Sequence, residues 1–325
     1  MTNNPWNEIS APLQDVAARR IDHTHPLDLF WAQDALGHYL FVYEIEEPVS
    51  LPKIELPKLV GIQALYTQPN PDNTRARLIL VLNEQSNWEI FLSLCNDLVQ
   101  TTREAKTSTT AIQAILRRLA RWQDFLKNIR NDVLSESEIK GLIGELLFME
   151  RHLIPAFGAG QSIFFWQGPE GLPQDFNVNN SAIEVKCQSG TTSPSIKISS
   201  VNQLCPQLSE MYLYVVTLGK ATPDSVSSIN LHLLVSRLRN ALLLETSNQL
   251  ERFNDLLHMI GYIDSDIYLE FSYILSDERM YEVKDGFPRI CPNQVHIGIE
   301  NLTYSVKLSE CEQFKSCPKW MKSSL

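Results

Sequence analysis

The sequence predicts an α/β protein of the α+β kind, and three observations carry that expectation. Aromatic and β-branched runs crowd the first part of the chain. Long stretches follow in which apolar residues recur at three- and four-residue steps. Residues 135–220 then read as helix, three strands, helix, strand, an order that builds a central mixed sheet with helices against it.

Residues 1–25 are polar and contain proline, with a short amphipathic piece around Val16–Ile21, and they read as a partly mobile start. Tyr39–Ile45, Leu59–Tyr66 and Ala76–Leu82 read as strands, the last two joined through the polar turn at 68–74. A helix is expected over Asn87–Thr101, with Trp88, Phe91, Leu92, Cys95, Leu98 and Val99 on one face. A second spans Ser108–Arg130, its stripe formed by Ile112, Ile115, Leu119, Trp122, Leu126 and Ile129. Arg117, Arg118, Arg121, Lys127 and Arg130 lie largely off that stripe, as a solvated face or a phosphate-contacting one.

Ser135–His152 reads as a helix capped by Ser135 or Ser137. Ile163–Trp166, Phe176–Val178 and Ala182–Lys186 read as strands, the last two joined by Asn179, Asn180 and Ser181. Ile196–Ile198 is a short strand candidate, a helix is expected from Ser199 or Ser200 through Leu208, and Met211–Leu218 is a buried strand. Helices near Ser228–Leu244 and Ser247–Ile260 follow, then an antiparallel pair from Tyr268–Ile274 and Met280–Val283, and a last strand Leu302–Leu308. The expected domains are a β-rich 1–107, a core with its preceding basic helix over 108–220, and an α+β extension over 221–325 packed on that core.

Composition narrows the class. Apolar residues at 44% and charged residues at 20% suit a globular chain, and no apolar run reaches the roughly 18 residues a membrane helix needs. The start MTNNPWNEISAPLQD lacks the pattern of a secretory signal, so a cytoplasmic location is expected, with no membrane partner. Six cysteines lie far apart with no CxxC pair, which predicts buried thiols in a reducing compartment rather than a zinc site or a disulfide framework. The net charge of −10 excludes a passive nucleic-acid coat. Residues 103–130 nonetheless hold seven positive and two negative charges, so one basic stretch stands against an acidic remainder. No GxxxxGK[ST], GxSxG, HExxH or GxGxxG occurs, which removes support for an ATP-driven motor, a serine hydrolase or a zinc protease.

The residues that carry chemistry are Asp175 and, nine positions later, Glu184-Val185-Lys186. Strand alternation puts Glu184 and Lys186 on one face and sends Val185 into the core. The preceding hairpin can return Asp175 beside Glu184. Two carboxylates and an ammonium converging on one spot are unfavourable unless a divalent cation offsets the repulsion. Carboxylate oxygens suit a hard ion such as Mg²⁺, for which Mn²⁺ can substitute.

The segment PQDFNVNNSAIEVKCQS resembles the signature of the PD-(D/E)XK nuclease superfamily, with Gln174 where the pattern has proline. The fuller run GLIGELLFMERHLIPAF … W … G … QDFNV … IEVKCQS … IKISSVNQL is similar to a prokaryotic group of such motif proteins. The resemblance implies a restriction-endonuclease-like core. It implies that Glu145, on the helix before the first strand, joins Asp175, Glu184 and the Val185 carbonyl as a metal ligand, and that Lys186 orients the attacking water. Gln188, next on the same face, is a further candidate for the site. Lys197, Arg117 and Arg121 are candidate nucleic-acid contacts. The borders of the site also hold Ser193, Ser195, Ser199 and Ser200, while Cys187, Glu150, His152, His23 and His25 read more simply as core or surface residues.

The expected function is metal-dependent endonuclease cleavage of DNA in bacterial restriction or phage defence. The resemblance adds a homodimer and a partner ATPase, helicase or methyltransferase as expectations. The alternative is a catalytically inactive subunit of the same fold that binds DNA or supports assembly.

Overall fold

The computed structural model describes residues 4–45, 56–69, 75–128, 134–190, 194–206, 208–223, 225, 227–245 and 247–321. Two compact units emerge, Met1–Asp132 with Ile263–Ser265, and Val133–Tyr262 with Asp266–Leu325. Helices and sheets are mixed in both, the α+β class that the sequence predicts.

The first unit is a five-stranded antiparallel sheet with two helices. Strands β1 (Val16–Arg20), β2 (Asp28–Asp34), β3 (Tyr39–Ile45), β4 (Ile62–Thr67) and β5 (Ala76–Leu82) lie in the order β1-β2-β3-β5-β4. In β5, Ala76, Leu78, Leu80 and Leu82 are buried toward one core. Ile79 and Val81 pack on the other face with Ala32, Leu40 and Val42. That is the period-two pattern of a sheet strand covered on both sides. The polar start is anchored rather than loose. Trp6 is fully buried, donates its indole N–H to the Leu40 carbonyl at 2.9 Å, and packs on Trp31, Tyr39 and Phe91. Strand β2 escaped the sequence reading because Asp28, Gln33 and Asp34 leave only the four-residue apolar run Leu29–Ala32 between them. Asp28 is offset by ion pairs with Arg20 and Arg75. The turn expected at 68–74 falls at 70–74 outside the described residues.

Helices α1 (Trp88–Thr101) and α2 (Ser108–Asn128) cover the sheet of this unit with the expected apolar stripes. Arg118 departs from the expected basic face. It is 2% exposed and ion-paired with Asp97, which also accepts the Trp122 indole N–H at 2.7 Å. Arg118 stands three residues after Ile115 and four before Trp122, so it falls on the apolar stripe itself. The sequence-based boundary at 107/108 and the division at 132/133 differ in where α2 belongs, because its buried face packs into the first core.

The second unit opens with α3 (Glu136–Phe148), started by a capping box between Ser135 and Glu138. It continues through one π turn, Met149–Leu153, into α4 (Ile154–Phe157). Helix α5 (Ala159–Phe165) follows, then β6 (Phe176–Val178), β7 (Ser181–Ser189), β8 (Ser195–Ile198) and β9 (Glu210–Lys220). Helices α6 (Leu231–Leu243) and α7 (Ser247–Met259) come next, then β10 (Tyr273–Glu282) and β11 (Tyr304–Lys307). The main sheet is mixed, in the order β10-β9-β7-β6, with β7 and β9 parallel and the outer pairs antiparallel. Strands β8 and β11 form a separate antiparallel pair. One apolar core joins the main sheet to α3, α5, α6 and α7. Another fills the opposite face, beneath β8 and β11.

Three expected elements change here. Ile163–Phe165 is the end of helix α5 and not a strand, because burial of Ala159, Ser162 and Ile163 on one helical face overrides the β propensity of the run, and Trp166 just beyond it is extended and makes a single bridge to Phe176. Residues 199–206 make turns and no helix, held by bonds such as Gln203 N–H to the Ser200 carbonyl at 3.2 Å. The expected pair Tyr268–Ile274 and Met280–Val283 is replaced by the single strand β10, which pairs with β9. Its polar middle, Ser276–Arg279, is tolerated because β10 is an edge strand.

The free-thiol expectation is also corrected. Cys205 and Cys291 form a disulfide across 86 residues, with Cα atoms 5.8 Å apart. Local spacing could not signal a pair that only the folded chain brings together. Cys95, Cys187, Cys311 and Cys317 are free. Among the described residues no helix is long and apolar enough to cross a membrane.

Candidate active site

Strand β7 lies inside the main sheet, bonded to β9 on one side and β6 on the other. Its alternation sorts its residues as expected. Ile183 and Val185 enter the helix-side core and Ala182 the opposite one. Gly144 of α3 makes the close approach possible, since a Cβ there would stand 3.3 Å from Val185 Cγ1 and 3.7 Å from Cys187 Cβ. The hairpin turns at Asn179, whose positive φ of 53° suits asparagine. Register Phe176↔Ile183 then carries Asp175 alongside β7. There Asp175 Oδ2 accepts the Val185 backbone N–H at 2.7 Å.

Glu184 is 1% exposed, and both its carboxylate oxygens are buried without a hydrogen-bond partner among the described residues. Its compensation is charge: the Lys186 ammonium lies 2.6 Å from Oε1. Glu145 projects from α3 and accepts the Trp166 indole N–H on Oε2 at 2.7 Å. The carboxylates of Glu145 and Asp175 meet around Gly168. A Cβ at that position would stand 3.1 Å from Asp175 Oδ1 and 3.4 Å from Glu145 Oε2.

Electrostatics bind the set together. Burial pushes the Asp175 carboxyl up to about 6, against the pull of the Val185 N–H and the Lys186 charge. Burial, then the Asp175 charge, holds Glu145 well above the usual carboxylate range, opposed by the Trp166 hydrogen bond and Lys186. Burial and the Asp175 charge raise Glu184 likewise, with Lys186 opposing and Glu145 adding to the repulsion. Three acids that resist ionisation beside one ammonium can lower their energy by sharing a cation. Their all-oxygen donor set fits a hard divalent ion, as does the buried Glu184 carboxylate, which meets only the Lys186 ammonium among the described residues. The side chains do not close into a finished shell: among the described residues, no group of three or more His, Cys, Asp or Glu is arranged to hold a metal.

The other sequence candidates fall elsewhere or take other partners. Gln188 lies on the β7 face of Glu184 and Lys186, and its Nε2 donates to Thr217 Oγ1 on β9 at 3.1 Å. Lys197 is exposed on β8, opposite Ser305. Arg117 and Arg121 are exposed on α2 of the first unit. Ser193 lies outside the described residues, as does the side chain of Lys127 and all of Arg130. His152 is buried against Phe148 and Tyr214, 3.5 Å from Glu278, and Glu150 is paired with Arg237. His25 is held in its loop by the Val99 carbonyl and the Leu27 N–H.

Sequence reasoning missed Trp166, Gly168 and Gln174 as neighbours of the acids. Gln174, in the position of the motif's proline, is 6% exposed and donates to the Asn202 carbonyl at 2.6 Å. The signal available was a tryptophan and a glycine two apart, shortly before Asp175. With Trp166 at the end of an expected strand and Gly168 in no expected element, neither hints at facing it.

Over residues 2–309 the chain matches the model of a family described as "Putative PD-(D/E)XK family member, (DUF4420)". No curated protein and no solved structure matches it.

Proposed function

The chain belongs to this DUF4420 family of PD-(D/E)XK relatives, and from that premise we propose that it is a metal-dependent endonuclease that hydrolyses DNA phosphodiester bonds. The observation that carries the reading is the grouping of Glu145 and Asp175 around Gly168, with Asp175 bonded to β7 beside the Glu184–Lys186 pair. In this reading Glu145, Asp175, Glu184 and the Val185 carbonyl hold Mg²⁺, or Mn²⁺ in its place. The bound ion supplies charge stabilisation to the reacting phosphodiester and raises the acidity of water.

The chain's own groups do the rest. Lys186 presents an ammonium to the non-bridging phosphate oxygens and orients the attacking water. Glu184, buried and only 2.6 Å away, fixes where that ammonium sits. Gln188 steadies the far end of the same strand face through Thr217. Lys197 and the exposed Arg117 and Arg121 contact the nucleic-acid backbone, where each neutralised phosphate adds a salt-sensitive share of affinity. A bacterial restriction or phage-defence role, a homodimer, and a partner ATPase, helicase or methyltransferase join the proposal on the strength of the family resemblance, and a cytoplasmic location is proposed with them.

A non-catalytic DNA-binding or assembly subunit is the second reading, and it draws on the lack of a closed ligand shell among the described side chains. Incubation of supercoiled, linear, methylated and single-stranded DNA with Mg²⁺ or Mn²⁺, beside Asp175→Ala, separates the two. Metal-dependent cleavage that Asp175→Ala abolishes is the expected result. No cleavage of any substrate, with no Mn²⁺ binding by calorimetry, would leave the subunit reading in its place.

A further inference from the structure

The segment Trp166-Gln167-Gly168 touches both helix-side acids at once. The fully buried Trp166 donates its indole N–H to Glu145 Oε2 at 2.7 Å. Among the described residues it is the only hydrogen-bond donor that carboxylate has. The backbone N–H groups of Gln167 and Gly168 donate to the Asp175 carbonyl at 2.9 and 3.0 Å. Gly168 leaves open the space that a Cβ would take between the two carboxylates. The indole itself cannot drift, because Trp166 bridges to Phe176 through its backbone and its ring packs against Phe253 at 5.9 Å.

We propose that residues 166–168 are a positioning element that sets the Glu145 carboxylate against Asp175. Trp166 occupies one carboxylate oxygen and leaves the other for a cation, and Gly168 keeps the gap between the acids clear. An indole N–H is a donor only, so it enforces one orientation of the carboxylate and cannot itself compete as a ligand. Groups that orient a metal's ligands in this way typically change metal affinity by about 10- to 100-fold when removed. The proposal rests on the metal reading given above, and its test separates the two.

Calorimetric Mn²⁺ titrations of the full chain and of Trp166→Phe and Gly168→Ala measure the effect directly. Each variant is expected to bind at least about 10-fold more weakly than wild type. In parallel, the indole N–H resonance lost in Trp166→Phe is followed by NMR in wild type and Glu145→Gln. It is expected to move upfield in Glu145→Gln and to shift saturably when wild type is titrated with Mg²⁺. Wild-type affinity in both variants, or a resonance that ignores Glu145→Gln, overturns the positioning role and leaves the metal reading standing. A wild type that binds no Mn²⁺ overturns the metal reading and the proposal with it. If Trp166→Phe fails to fold, Gly168→Ala and the Glu145→Gln resonance still decide.

Discussion

The Val185 backbone N–H and Asp175 Oδ2 lie 2.7 Å apart, so the strand that bears Glu184 and Lys186 also grips the acid of the preceding hairpin. That bond lowers the cost of an ionised Asp175 but does not cancel it, because burial still holds the carboxyl up at about 6 against an ordinary 3.8. A carboxyl raised on folding favours the folded state while protonated. The contribution is present below about pH 4 and is lost as the pH climbs through about 6. In EDTA, Asp175→Asn is therefore expected to lose less stability than wild type between those limits, as thermal unfolding at closely spaced pH values would record. Parallel curves for the two proteins would contradict this.

Removing Lys186 alone strands the Glu184 carboxylate, which has no hydrogen-bond donor among the described residues. Lys186→Met is expected to cost about 3 kcal/mol at pH 8, the scale for breaking a largely buried ion pair from one side. The double variant Lys186→Met, Glu184→Gln should regain most of that loss while both remain unable to cleave DNA. Urea unfolding of the single and double variants gives the comparison, and equal losses would rule out the pairing as the cause.

The arginines of α2 should divide by burial. Arg117→Ala and Arg121→Ala are expected to leave stability nearly unchanged and to weaken DNA retention. Each should reduce the slope of log affinity against log salt by about 1. Arg118→Leu is expected to do the reverse, destabilising the first unit by about 3 kcal/mol through the stranded Asp97 and leaving the salt slope alone. Fluorescence anisotropy over a salt series and chemical unfolding distinguish these outcomes.

The disulfide closes a long loop, its cysteines separated by 86 in sequence. Cys205→Ser is expected to lower stability by about 2–4 kcal/mol in oxidising buffer. A thiol reductant should bring wild type down to the level of the variant and leave the variant where it is. A wild type indifferent to reductant would show that the bond contributes nothing to folding.

Much of this architecture could be read in advance where burial imposes a period. Strands β3 and β5 begin and end where their apolar and aromatic runs do, and α1 and α2 carry the expected stripes, Ile129 lying outside the described residues. The placing of Glu184 and Lys186 on one face and Val185 on the other followed from alternation alone. What stayed hidden depends on partners distant in sequence. An edge strand such as β10 can carry Asp277, Glu278 and Arg279 because, among the described residues, no strand pairs with its outer side along that stretch. The run IFFW at the end of α5 favours extended chain until the core of the second unit claims Ile163 as a helical residue, and only Trp166 stays extended. Trp166 gained its place beside Glu145 only through that helix, and the join between Cys205 and Cys291 only through the turns and strands between them.

Strand β7 is paired along its whole length with β9 in parallel, and over Ser181–Ile183 with β6 in antiparallel. Sliding it by a single position would exchange its two faces, delivering Val185 and Cys187 to the polar side and Glu184 and Lys186 to an oily one. An insertion or deletion within residues 181–189 would thus turn the acid and the ammonium away from the hairpin's Asp175, whereas a substitution that keeps the strand's length leaves its two faces in place. Diversification among descendants of such a chain must then proceed through its loops and its amino-terminal unit, with the acid-bearing strand carried forward at constant length.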